Sequence, residues 1–397
     1  MFGMLGAVPL PGIGVPVSVL PAMIALPLRR PINGPPMARG IAIWLLVGTL
    51  AWTVISLTNG VIPGANVAQF AVVALLLLAY LSTITSLESA ATLVGWTSLS
   101  MTVYTVAFGA GNTRGSFEDL WKYGIAFTFT IFTLYLLART DSAVAGIIAL
   151  IILGTFGTVL NYRSFGLVCG IAAAICIAKL GTGRHIALRI ATAGGILALL
   201  AVLLPQALSS GVFGATVQAK TVAQTEAGGP LLLGGRTEPP LSIAAITERP
   251  FGWGSAQLIN ADTLNRGSEI ARFLGVTEVE QATKIWVRAD GYVSLHSMLF
   301  VPWVEGGIVA AIPMLLFIAL FGWAAAVSRG RWTVLVTLVA AQSIWDILFS
   351  PWTGERAVAL AAAAILAAWT IAMVTSQTAT IRLGPGRGAD RFHLEEA

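Results

Sequence analysis

Three side chains in this sequence could do chemistry that their surroundings do not explain: Arg163, Arg236 and His296. Arg163 stands in Asn161-Tyr162-Arg163-Ser164, between two long apolar runs with almost no loop around it. An arginine at membrane depth costs about 2.5 to 3.5 kcal/mol on insertion scales, so it needs a partner or a water-filled cavity. Taken by itself, it is equally an interfacial arginine that snorkels to lipid headgroups. Arg236 is flanked by Gly234-Gly235 and Pro239-Pro240, a context that holds backbone tightly and buries little. A single loop arginine is more often structural. Two near one cavity are different, because forked guanidinium groups match phosphate oxygens and each charge-assisted hydrogen bond contributes about 1.5 to 3 kcal/mol.

His296 is the histidine that stands apart from the basic segments holding His185 and His393. Free imidazole titrates at about 6.5, which suits general acid or base work near neutral pH. A histidine at the start of a helix is also commonly a hydrogen-bonded interfacial residue. His296 is expected in the first turn of a helix that begins near 297, after the polar approach Asp290-Gly291-Tyr292. Glu305 would then lie about 13 Å further down that helix and on its opposite face, with Pro302 as a bend between them. A carboxylate at that depth calls for a basic partner, and Gly306-Gly307 would let another helix approach closely. Glu305 is therefore read as a structural ion pair or hydrogen bond. Arg236, Pro250-Phe251-Gly252-Trp253-Gly254, His296 and Glu305 follow one another in the longest polar interval of the chain, from Gly234 to Gly307.

The elements that must position these residues are membrane helices. Of 397 residues, 56% are hydrophobic and 10% charged, against roughly 25% charged in a soluble domain; the mean hydropathy is +0.84. An all-α, polytopic transmembrane bundle follows. Apolar spans of about bilayer length are expected near 5–28, 40–58, 66–86, 89–109, 120–138, 142–160, 164–180, 186–206, 297–327, 331–349 and 356–376. That is about eleven helices (10–12), the first of them interrupted by Pro9, Pro11, Pro16, Pro21 and Pro27. The chain then divides into N-terminal helices over 1–206, one large loop over 207–296, C-terminal helices over 297–376 and a tail over 377–397. No cleavable signal peptide is expected, since no charged residue precedes Arg29. Cys169 and Cys176 are about 10 Å apart along one helix, too far for a disulfide.

Counting alternate loops, one side collects Arg29, Arg30, Arg39, Arg139, Lys179, Arg184, Arg189, Arg329, Arg331, Arg382, Arg387 and Arg391. The short loops on the other side carry Arg114, Lys122, Arg163 and Arg356. The positive-inside rule makes the first side, with the C-terminus, cytoplasmic and the large loop extracytoplasmic. Within that loop two short helices are expected. One packs Ile270, Phe273 and Leu274 on the bundle, and a second follows a capping box of Thr277 and Glu280.

Outside the cytoplasmic membrane there is neither ATP nor a supply of nucleotide sugars, so an enzyme there must use a substrate that carries its own activation. The sequence has no G-x-x-x-x-G-K-[ST] loop, no D-x-D pair and no H-E-x-x-H, which argues against nucleotide and metal chemistry. Nothing points to nucleic acid.

The ordered set Tyr162-Arg163-Ser164, Gly235-Arg236, Pro250-Phe251-Gly252-Trp253-Gly254, His296 and Glu305-Gly306-Gly307 resembles the O-antigen ligase and O-antigen polymerase superfamily, polytopic glycosyltransferases of the GT-C type. The likeness covers about 150 to 320. Where the family has asparagine after the histidine this chain has Ser297, and Tyr162 and Ser164 replace the usual hydroxyl residue and glycine around Arg163. The resemblance implies transfer of glycan from a polyprenyl carrier, such as undecaprenyl diphosphate, to an acceptor hydroxyl at the outer face of a bacterial cytoplasmic membrane, in cell-surface polysaccharide assembly. Arg163 and Arg236 would bind the diphosphate and stabilise its charge as the glycosidic bond breaks. His296 would orient or deprotonate the acceptor, with Gly252, Gly254 and Glu305 in support and neither metal nor other cofactor required. The expected partners are the lipid-linked oligosaccharide donor, a glycan or lipid-glycan acceptor, membrane lipids and other subunits of a synthesis and export complex. The modest loop leans toward polymerase over ligase.

Two other classes remain open. A transporter or flippase of lipid-linked glycans would show internal repeats and mid-helix ionisable pairs; no repeat is evident and the ionisable residues gather on the outer side. A structural subunit of a synthesis complex would tolerate substitution at Arg236 and His296.

Overall fold

The structure, a computed structural model, describes residues 19–25, 34–109, 116–180, 205–226, 238–276, 286–288 and 291–383, with 194–195, 203 and 279. Among these the chain is all-α, and its only β element is one isolated antiparallel bridge between Val287 and Val293. The helices are α1 (Val19–Ala25), α2 (Pro36–Thr58), α3 (Ala65–Thr83), α4 (Leu87–Phe108), α5 (Phe117–Ala138, with a π turn at Trp121–Ile125), α6 (Ala143–Val159) and α7 (Arg163–Lys179). After them come α8 (Ala215–Glu226), α9 (Glu238–Glu248), α10 (Ala261–Phe273), α11 (Phe300–Val327), α12 (Thr333–Phe349) and α13 (Gly354–Leu383). Five segments, Pro36–Thr58, Ala65–Thr83, Phe117–Ala138, Phe300–Val327 and Gly354–Ser376, are long and apolar enough to cross a membrane. With the composition above, they mark a membrane protein.

The expected spans from 40–58 to 164–180 and from 297–327 to 356–376 coincide with α2–α7 and α11–α13. Those near 5–28 and 186–206 lie outside the described residues, apart from Val19–Ala25 and a few positions after 193. The last helix continues past 376 to Leu383. Both cysteines are buried free thiols.

Small residues bring the helices together, as expected where lipid removes the hydrophobic drive between them. At Gly154 an added Cβ would sit 2.8 Å from Cys169 Cβ on α7, and at Gly306 it would sit 2.7 Å from the Trp52 ring on α2. Side-chain links then define two ends of the bundle. At one end Arg331 pairs with Glu88, Lys179 donates to Ser328 Oγ at 2.8 Å, and Arg139 donates to Tyr135, whose ring stacks on Trp332. At the other end Ser56 donates to Gly254 O, Asn66 to Tyr292 and Arg163 to Thr221 of α8, and Asp346 lies 3.8 Å from Arg356.

Two expectations change. The α11 helix starts at Phe300, so His296 precedes it on extended chain instead of occupying its first turn. Pro302 then lies in the first turn, where no intrahelical N–H is needed and no bend results; the break comes at Gly307 (φ 71, ψ −175). The helix expected around Ile270 is present as α10 but turned on its axis. Thr263, Gly267, Ser268 and Ala271 are buried and Phe273 is 88% exposed. Close approach of α9 decides this face, because at Gly267 a Cβ would lie 2.9 Å from Leu241 Cα. The helix expected after Thr277 and Glu280 falls outside the described residues.

Candidate functional site

The Pro250-Phe251-Gly252-Trp253-Gly254 turn is a plug for the break in α11. Interrupting a helix inside a bilayer strands backbone groups that cost several kcal/mol each unless protein satisfies them. Here Trp253 N–H donates to Val304 O (2.8 Å), Gly254 N–H to Glu305 O (2.8 Å), and Ile308 N–H to Pro250 O (3.1 Å). Gly252 (φ 99) and Gly307 (φ 71) make the contact feasible: a Cβ on Gly252 would lie 2.7 Å from Glu305 O, and one on Gly307 would lie 2.4 Å from Phe251 O. Ser56 of α2 donates to Gly254 O (2.8 Å), and the Trp253 indole donates to Ala245 O of α9 (2.9 Å) beneath the Arg249 guanidinium. Gly252, Gly254 and Glu305 thus meet at one joint.

The Glu305 carboxyl takes part through its side chain as well. It is buried and accepts from Ala256 N–H (3.1 Å) and Tyr292 O–H (2.9 Å), and Asn66 of α3 donates to the same Tyr292 oxygen (3.1 Å). Its described partners are hydrogen-bond donors, the second of the two readings, ion pair or hydrogen bond. Burial, and after it the Glu305 charge, pushes the Tyr292 phenol well above its ordinary range. Tyr292 is carried by a tight turn in which Arg288 N–H donates to Tyr292 O and Ser294 N–H to Trp286 O.

That turn leads directly into His296. The next residue, Ser297, donates to Ile347 O at the end of α12 (3.1 Å) and accepts from Phe300 N–H, capping α11. Leu299 N–H also reaches Ile347 O, and the Trp352 indole reaches Met298 O. His296 therefore sits on backbone fixed from both sides while its own ring is 36% exposed. Its Nδ1 lies 3.0 Å from Glu238 Oε1, at hydrogen-bond distance but off the ring's N–H direction. Glu238 opens α9, followed by two prolines pre-set for a helical first turn, and Ser242 donates back to its carbonyl. Glu238, Ser242, His296, Phe300 and Phe349 enclose a hollow of about 10 Å³, room for one water or hydroxyl group.

Arg163 begins α7 and its Nη1 donates to Thr221 Oγ1 of α8 (2.9 Å), the partner that a membrane-depth arginine needs. Cys176 of α7 and Thr337 of α12 share a side-chain hydrogen bond in antiparallel helices. Lys179 at the end of α7 meets Ser328 just before α12, so Arg163 at the start of α7 lies toward the other end of α12, where Leu348 and Phe349 line the hollow. Arg163 and His296 thus occupy the same end of the bundle. Arg236, with Gly234-Gly235, lies outside the described residues; in sequence it stands two positions before Glu238.

Glu238 escaped the sequence reading. Its signal was an acidic residue in Arg236-Thr237-Glu238-Pro239-Pro240, where prolines mark a helix start and an acidic first turn suits the helix dipole. Among the described residues no group of three or more His, Cys, Asp or Glu side chains is arranged to hold a metal ion. Comparison with known protein families finds no match, and none of the curated proteins matches the chain either.

Proposed function

We propose that this protein is a membrane glycosyltransferase of the O-antigen ligase and polymerase type. Its large loop, the interval 207–296 within a bundle of about eleven helices, faces outward, and it transfers glycan from a polyprenyl diphosphate carrier to an acceptor hydroxyl. The observation that carries this reading is the pairing of His296 with Glu238 beside a hydroxyl-sized hollow, at the bundle end that also holds Arg163. Arg236 adjoins Glu238 in sequence.

In the reaction the acceptor oxygen forms a bond to the anomeric carbon as the bond from that carbon to the diphosphate oxygen breaks. The electron pair leaves on the diphosphate, where Arg163 and Arg236 stabilise it, and the acceptor proton passes to His296. The arginines take the part a divalent cation plays on nucleotide sugars, so turnover is metal-independent. The modest loop favours joining of repeat units, as a polymerase does, over transfer to a different acceptor. The setting is the outer face of a bacterial cytoplasmic membrane, in cell-surface polysaccharide assembly.

The test uses purified protein in nanodiscs with a polyprenyl-diphosphate-linked oligosaccharide and EDTA. Longer glycans and free carrier diphosphate are expected, both lost in His296→Ala and strongly reduced in Arg236→Ala and Arg163→Ala. Carrier release only with a foreign acceptor identifies a ligase. No turnover with any acceptor, together with carrier crossing the bilayer, replaces the enzyme by a transporter.

A further inference from the structure

We infer that Glu238 is a positioning residue for His296: its carboxylate holds the proton on Nδ1 and leaves the bare Nε2 to face the acceptor. Neutral imidazole carries one proton on either nitrogen, and the hydrogen bond made by one nitrogen decides which of them is free to act as a base. A carboxylate is acceptor-only when ionised, so a Glu238 oxygen 3.0 Å from Nδ1 selects the Nδ1–H form. The carboxylate lies off the N–H direction, and such contacts commonly tighten only when substrate is bound.

Three features of the surroundings favour this role over an incidental surface contact. The Glu238 side chain is 13% exposed and lies 3.0 Å from the ring, so the contact is largely shielded from water. Its backbone is held by the proline-led first turn of α9 and by Ser242, while the chain around His296 is held by the end of α12. Both anchors are independent of substrate, so the backbones that carry the two side chains are fixed in advance. His296 itself lines the hollow, which has about the size of a hydroxyl group. Asp346 and Arg356 at the adjoining end of α12 pair with one another at 3.8 Å, so Asp346 has a cationic partner of its own.

Nitrogen-15 NMR of histidine-labelled protein in nanodiscs tests the pair without any glycan. At about pH 9, well above the ordinary imidazole range, the His296 signals are identified by their loss in His296→Asn. The wild type is expected to show protonated Nδ1 and bare Nε2. Glu238→Leu is expected to shift the ring toward the Nε2–H form, and Glu238→Gln, which retains an acceptor, to keep Nδ1–H. Protonated Nε2 in the wild type overturns the inference, and that spectrum needs no variant to fold. An unchanged ring in a folded Glu238→Leu overturns it as well.

The kinetic consequence rests on the glycosyltransferase reading. A positioned base contributes about 10²–10⁴-fold, so Glu238→Leu should lower kcat about tenfold or more at unchanged donor KM, with partial recovery in Glu238→Gln. A raised donor KM at unchanged kcat would place Glu238 on the donor and contradict the positioning role. A tautomer that switches as expected while no variant turns over glycan sinks the enzyme reading and leaves the pair standing.

Discussion

Single side chains here divide into those that hold the joint and those left free to act. Glu305 belongs to the first group, because both of its described hydrogen-bond donors, Ala256 N–H and Tyr292 O–H, are internal. Glu305→Ala should strand them and lower stability by about 1–3 kcal/mol. Glu305→Gln, which keeps an acceptor, should lose less. Thermal unfolding in detergent checks the order, and equal losses would show that the carboxyl is not accepting these bonds. His296 belongs to the second group, with its backbone fixed and its ring partly exposed. The sequence marked His296 by its isolation from the other histidines and Arg163 by its position between apolar runs. It could not show Glu238 as the partner, because the pairing depends on how α9 lies against the start of α11, and a residue 58 positions away in the chain leaves no local trace.

Among the elements, the broken helix and its plug form the unit on which the site rests. Gly307→Ala would force a Cβ into left-handed backbone at about 1–2 kcal/mol and against the Phe251 carbonyl at 2.4 Å. The turn at 250–254 should detach, seen as faster hydrogen exchange at Trp253 and Gly254; unchanged protection there would contradict the plug. A second clamp joins α9 to α10, where Thr263 and Asn260 side chains donate to Glu248. The Thr263 hydrogen bond, foremost, holds the Glu248 carboxyl below its ordinary value of 4.5. A depressed folded value means that this clamp contributes fully above the ordinary value and is lost as pH falls through the depressed one. Exchange in α10 should therefore quicken as pH falls below the ordinary carboxylate value in wild type, while Glu248→Gln should already exchange faster at neutral pH. No difference between the two at neutral pH would remove Glu248 from the clamp.

The helices themselves were legible because apolar runs of bilayer length leave few other folds, and nine such runs coincide with described helices. Helix facing was less legible. Ile270, Phe273 and Leu274 have the spacing of a buried stripe, yet α10 buries Thr263, Gly267 and Ala271 because their small side chains admit the α9 backbone. Hydrophobic periodicity finds the greasy face, whereas close packing here selects the small one.

At the scale of the whole molecule, the links that define the two ends of the bundle gather different sets of residues. One end gathers Arg139, Lys179, Arg329 and Arg331, and the other gathers His296, Glu238 and the glycine-rich turn. The proposed topology, which follows the positive-inside rule, has the first end facing the cytoplasm. Because both native cysteines are buried, a membrane-impermeant thiol reagent should label Phe251→Cys, at a position 74% exposed, in intact cells. Arg329→Cys should label only after the membrane is opened. Labelling of both from outside would overturn this orientation and, with it, the exclusion of nucleotide-activated donors.

The central claim is that His296 takes a proton from an acceptor as a glycan leaves its carrier diphosphate. The most direct measurement counts new glycosidic bonds and released polyprenyl diphosphate together, in EDTA, for wild type and His296→Ala in nanodiscs. Equal numbers of both in the wild type, with both lower by about 10²-fold or more in His296→Ala, are the predicted result. Bond formation at the wild-type rate in His296→Ala, or carrier released without any new bond in the wild type, would contradict it.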